Sequence, residues 1–413
     1  MIKKILSPLL CAALSMSFVV SAQAKRSEVK NVYVEAPAET KTEEKTEEKA
    51  ENTTAAPEEE QTEETKEPEA PKEYSLSLEA AIELALKDNP QFNNYDTAIE
   101  DAKVQLKQAQ KNKRDAEGKT VMIPAQLDMV ALQKGFYVEQ AQFNLDSKNM
   151  EKQQAEKSLA YKVTEQYYNV KLSEALLKCT EDAYALAKKN ADTVRQQFDL
   201  GLAAELDVTN AKLAEDRAKV SCDSVSRGLN LAIESLKLSL QLDEEDCTLT
   251  LTDGIDYTEF DGKLDEDMQK ALDSRYDMYC LKGAYEQTKN YRDYTDILGH
   301  TSSIYSASSA KVVQAEYTYT NAAKNVKLAI KSYYNSVVDA KQQLELASSE
   351  AALAEREYQV AKLKYDLGLI TNSELTSKMN AVSTSLQSVE KAKLTYKLAV
   401  EKYGYETSIG LQQ

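Results

Sequence analysis

Residues able to do chemistry are few in this chain. His300 is the only histidine, and it falls in a segment that reads as a turn, where solvent exposure is its expected state. A lone imidazole supplies neither a zinc site nor a proton relay, since each needs partners at fixed spacing. Beyond Cys11 there are four cysteines, Cys179, Cys222, Cys247 and Cys280, with no metal-ligand spacing. No glycine-rich phosphate loop and no nucleophile elbow occurs. The carboxylates are spread along helical stretches as solvated faces. The sequence therefore offers no catalytic residue, no metal ligand and no cofactor site, and the chain is not expected to be an enzyme. What the spacing does mark is a pair of glycines. Asp199-Leu200-Gly201-Leu202 and Asp366-Leu367-Gly368-Leu369 stand 167 residues apart, each where a long apolar periodicity stops. Glycine there predicts a helix C-terminal cap in the left-handed conformation.

Long helices lead into those glycines. Val326, Ile330, Tyr333, Val337, Ala340, Leu344, Ala347, Ala351, Ala354, Tyr358, Ala361 and Tyr365 follow one another at alternating steps of four and three. Only a helix in coiled-coil packing wants that period sustained, and a strict seven-residue repeat predicts left-handed supercoiling. A second stripe, Leu346, Leu353, Val360 and Leu367, runs beside the first. Two stripes suit a helix with neighbours on both sides, as in a barrel of helices. Tyr184, Ala187, Ala191, Val194 and Phe198 make the same steps before Gly201. Helices restart near Glu205 and near Ser373, so the chain holds two long helical hairpins. Gln166-Tyr167-Tyr168-Asn169 is matched by Ser332-Tyr333-Tyr334-Asn335, which points to an internal duplication. The expected helices cover 78–88, 92–116, 126–199, 205–244, 264–296, 304–366 and 373–408, and Cys247–Thr252 is the one strand candidate.

Composition bounds the rest. Lys3 and Lys4, the apolar run Ile5 to Val20 and Ala22-Gln23-Ala24 read as a signal peptide, residues 1–24, cleaved after Ala24. Leu10 precedes Cys11 where a lipoprotein signal wants a small residue. No later stretch reaches the ~18 apolar residues of a membrane-spanning helix. Residues 25–73 read as a disordered Glu/Pro-rich linker, since 35–73 hold fifteen glutamates against five lysines and four prolines. The net charge of −17 argues against nucleic acid or anionic lipid as a partner. The expected fold class is all-α, with a first helical repeat at 74–250 and a second at 251–413.

The motifs resemble a family in series. Leu76-Ser-Leu-Glu-Ala-Ala-Ile-Glu-Leu-Ala-Leu-Lys-Asp-Asn-Pro90 is similar to the opening of TolC-like outer-membrane efflux proteins. Arg195 to Leu202 with Glu205-Leu-Asp-Val-Thr-Asn-Ala211 resembles their first hairpin tip, and Lys364 to Leu369 with Ser373-Glu-Leu375 the second. Tyr403-Gly-Tyr-Glu-Thr-Ser-Ile-Gly410 resembles the last helix. The resemblance implies a homotrimeric α-barrel in the cell envelope. That barrel would dock on a periplasmic adaptor and an inner-membrane pump, as the exit duct of efflux or type I secretion. Carried over, Leu200, Gly201, Leu202, Leu367, Gly368 and Leu369 would dock the adaptor, and Glu205, Asp207 and Glu374 would line the tip constriction. One departure stands out. The segments where the family places barrel strands, Gly118–Ala125 and Asp296–Tyr305, are too short to cross a membrane twice, so the β-barrel is expected to be absent or vestigial. The other reading is a structural or adhesive coiled-coil protein of the envelope without transport.

Hairpin geometry also bears on the thiols. Cys179 and Cys222 lie almost equally far from Gly201. A turn running to Ala204 would offset them by about three residues, ~4–5 Å along the axis. They are expected to stay free, while the state of Cys247 and Cys280 is open.

Overall fold

In the computed structural model the described residues are 72–87, 89–122, 127–242, 247–256 and 259–412. All lie within one compact unit. The expected signal peptide and the linker as far as residue 71 fall outside them.

The elements in order are β1 (Lys72–Leu76), α1 (Leu78–Leu86), α2 (Asn93–Ala116), α3 (Leu127–Lys134), α4 (Phe136–Asp199), α5 (Glu205–Ser239), β2 (Cys247–Leu251), α6 (Leu264–Ser274), α7 (Tyr276–Thr295), α8 (Ser303–Asp366) and α9 (Asn372–Glu406). The duplication is written into the lengths. α4 and α8 each have 64 residues, and α5 and α9 each have 35. At 1.5 Å per residue a 64-residue helix is about 96 Å long, so the two hairpins are struts rather than parts of a globule.

The four long helices pack side by side in the order α5, α4, α9, α8. Along α8 the first stripe is inside. Ile330 and Val337 are fully buried, and Val326, Ala340, Leu344, Ala347, Ala351 and Ala361 are nearly so. Alanine at these seam positions lets the backbones approach closely, as coiled-coil packing requires. The second stripe is outside: Leu346, Leu353, Val360 and Leu367 are 51–73% exposed.

The expected linker end at residue 73 is corrected: the chain is already a strand at Lys72. β1 pairs in parallel with β2, Lys72 opposite Cys247 through Leu76 opposite Leu251, so the strand expected at 247–252 has a partner from the opening of the chain. Tyr167 fastens the pair to α4, its hydroxyl donating to the Leu76 carbonyl (3.1 Å) and accepting from the Asp253 amide (3.0 Å). The Asp253 carboxylate accepts from the Leu78 amide at 2.8 Å and so helps cap α1, 175 residues earlier.

Three expected helices are corrected. The 126–199 helix is interrupted at Gly135, whose φ of 93° lies in the left-handed region. The turn seats Phe136 against Tyr291 and Tyr294. The 264–296 helix breaks at Arg275, which leaves helical geometry with ψ at 138°. Its guanidinium there bonds the Glu406 carboxylate at 2.6 Å and Asp277 at 3.0 and 3.1 Å, and the Tyr276 amide turns to the Ile409 carbonyl. The 205–244 helix stops at Ser239, with Gln241 taking a φ of 57°.

Cys179, Cys222 and Cys280 are free thiols, but the reason expected for Cys179 and Cys222 is replaced. Gln166 donates to the Ser235 hydroxyl at 3.2 Å, so those residues are level on α4 and α5. Thirteen residues onward along α4 and thirteen back along α5 stand Cys179 and Cys222, level as well. Cys179 lies near enough to α9 for Glu390 and Lys393 to act on its thiol, beside Asp182 and Lys178 of its own helix. Burial pushes that thiol above its ordinary value.

Candidate functional site at the hairpin tips

Both long helices end in the same turn, built from hydrogen bonds that only a left-handed residue allows. At the first tip the Leu202 amide donates to the Gln197 carbonyl and the Gly201 amide to Phe198, both at 2.8 Å. At the second, Leu369 donates to Lys364 and Gly368 to Tyr365, both at 2.9 Å. These are paired Schellman closures, with φ of 74° at Gly201 and 70° at Gly368. Nothing lies within 4 Å of where a side chain would start at either glycine. Backbone conformation, not space, therefore selects glycine.

Around each glycine the leucines face outward. Leu200, Leu202, Leu367 and Leu369 are 69–77% exposed. Four large apolar side chains held on tight turns form a surface that a partner can cover. The glycines and leucines expected to dock an adaptor thus come together at one end of the molecule.

The acids expected at a constriction divide. Asp207 accepts from the Ala204 amide at 3.2 Å, which caps the start of α5. Glu374 accepts from the Thr371 amide at 2.9 Å, while the Glu374 amide donates to the Thr371 hydroxyl at 3.3 Å. That reciprocal pair is a capping box on α9. Both carboxylates therefore start helices whatever else they do. Glu205 is exposed.

The tips touch each other. The Tyr365 hydroxyl donates to Gln197 Oε1 at 3.1 Å. Beside this contact lies a cavity of about 290 Å³, lined among others by Val194, Asp207, Ile370 and Asn372. The bond was not evident in the sequence, because nothing local says that one tip faces the other.

A further surface runs up from the tips. Leu206, Leu213 and Val220 on α5 are 46–68% exposed. They repeat every seven residues, a signal that was present in the sequence. α5 and α8 are the two outer helices of the packed set, and each carries an outward apolar ladder.

Between α2 and α3, and between α7 and α8, the described residues contain no strand. They form turns, a short 3-10 segment at Asp296–Leu298 and the short helix α3. No helix among the described residues is long and apolar enough to cross a membrane.

No family model matches the sequence, and no curated protein does. Solved structures do match the fold. The CmeC outer membrane channel of Campylobacter jejuni superposes with a TM-score of 0.60 at 14% identity, over 81% of this chain and 87% of that one. The outer membrane protein VceC of Vibrio cholerae gives 0.58 at 13%, over 81% and 97%. CusC, described for folding and transmembrane channel formation, gives 0.65 at 12%, over 81% and 92%. The chain has the fold of the TolC-like outer-membrane channels.

Proposed function

We propose that this chain is the exit-duct subunit of an efflux or secretion system of the cell envelope. Three copies form a helical tunnel whose tips dock on an adaptor and pump. The observation that carries the reading is the match between its two outer helices. The tips lie at one end, so the ladders on α5 and α8 climb from the same level. Leu206 then stands nearest in level to Val360, Leu213 to Leu353 and Val220 to Leu346. A ladder on one edge that fits the opposite edge of a second copy makes a head-to-tail contact, which closes into a ring when the rotation allows. The exposed tip leucines supply the docking face.

Two variants test the proposal. In a background without the native cysteines, Leu213→Cys with Leu353→Cys should cross-link into a ladder ending at the trimer. Replacing Leu200, Leu202, Leu367 and Leu369 by Ser should abolish adaptor co-purification without altering the fold. A monomeric wild-type chain, or an adaptor retained by the tip variant, rejects the corresponding part.

A further inference from the structure

A larger cavity, of about 510 Å³, opens above the tips between α4, α5 and α9. The seam of α8 is built of Ala, Val, Ile and Leu, but the stripes that face one another here are polar. Asn210 and Arg217 stand seven residues apart on α5, and Ser373, Asn380 and Gln387 follow at the same step on α9. Asn190 on α4 donates to the Thr376 hydroxyl of α9 at 3.5 Å. Short polar side chains do not fill the space that Leu would, so a cleft is left along the helix axes. From Asn372 to Gln387 it runs ~22 Å at 1.5 Å per residue.

Its lining differs from the rest of the surface. Of the sixteen residues around it, eleven carry a hydroxyl or an amide, four are apolar, and only Arg217 is charged. Across the chain 29% of residues are charged, so a face kept only for solvation would show about four or five charges among sixteen. Arg217 is exposed and forms no ion pair among the described residues. Asn372 stands where the cleft meets the 290 Å³ cavity at the tips. It is 7% exposed, and its Oδ1 has no hydrogen-bond partner. Such a buried acceptor calls for a donor.

We propose that the cleft binds a linear oligosaccharide bearing an acidic group. Hydroxyl and amide side chains both donate and accept, as sugar hydroxyls do. The cleft has no aromatic ring and little apolar surface for a greasy solute, and no carboxylate for a cation. Seven-residue steps lie ~10.5 Å apart, close to the length of two sugar units in an extended chain, so a repeating ligand meets equivalent groups. Arg217 takes the acid, since a guanidinium fits a carboxylate through two parallel hydrogen bonds. The net charge of −17 opposes any anion at long range, but none of the lining residues is acidic. An extended peptide is the competing occupant. Each of its backbone groups only donates or only accepts, and its side chains would need pockets that the cleft lacks. The cleft belongs to a single chain, so the inference goes beyond the duct reading and does not depend on it.

Equilibrium dialysis of the mature chain tests it. The probes are cellotetraose and its aldonic acid, cellotetraonate, which carries one carboxylate on an otherwise similar chain. Cellotetraonate should bind saturably and about tenfold more tightly than cellotetraose. Arg217→Gln, at an exposed position, should remove that difference and leave cellotetraose unchanged. Asn380→Leu with Gln387→Leu should weaken both sugars, with helicity unchanged. No saturable binding, equal affinity for the two sugars, or indifference to either variant overturns the proposal. A hexapeptide of alternating Ser and Glu that binds as tightly as cellotetraonate also overturns it, by giving the cleft to extended peptide. Light scattering on the same samples reports assembly separately, so failure of the ring and failure of the site are told apart.

Discussion

Placing charge on the outer ladder of α8 is the sharpest test of assembly. Leu353 and Val360 are 58% and 51% exposed in the single chain, so roughly half of each side chain remains to be covered by a neighbour. Full burial of such a side chain contributes about 1.5–3 kcal/mol, which leaves about 1 kcal/mol per residue for association. Leu353→Glu with Val360→Glu removes about 2 kcal/mol of apolar contact per interface on that scale. A carboxylate left unpaired in a closed seam costs roughly 3–5 kcal/mol more. Three equivalent interfaces turn the apolar part alone into about 6 kcal/mol, some four decades in the assembly constant. Both positions face away from the helices of their own chain, so helicity by circular dichroism should persist while light scattering moves from trimer to monomer. A variant that stays trimeric, or a wild-type chain that is monomeric, refutes the reasoning.

Other substitutions probe the interior. A methyl group on Gly283 would sit 2.0 Å from Phe143 Cε2, so Gly283→Ala should cost about 1–3 kcal/mol as an overpacked contact between α7 and α4, read as a lower melting temperature. Arg275→Ala leaves Glu406, 5% exposed, without its cation. A loss of roughly 3–5 kcal/mol is expected, and faster hydrogen exchange near Ser408 and Tyr276 locates it. Alkylation before and after reduction, read by mass spectrometry, should find Cys179, Cys222 and Cys280 equally labelled in both. A peptide linking 179 to 222 would show that Cys179 does not face α9.

Long-helix periodicity and the glycine stops are local properties, and the sequence alone determined them. The stripe from Val326 to Tyr365 needs only the helical period to declare a buried face, and Gly201 and Gly368 need only a positive φ. The same holds for the duplicated hairpins, because each repeat carries its own seam and its own turn. What distant residues share was decided by the tertiary structure. β1 is a strand because Cys247–Leu251 lies beside it, some 175 residues away. Its own composition reads as the end of an acidic linker. Arg275 leaves its helix to meet Glu406, a partner 131 residues on. Spacing from Gly201 brings Cys179 and Cys222 almost level, yet which neighbour Cys179 faces depends on α9 packing beside α4. Asp207 and Glu374 are likewise present in the motifs, but capping claims them only once the turn is built. Net charge is a sum over the chain, whereas the fold chooses which charges stand together.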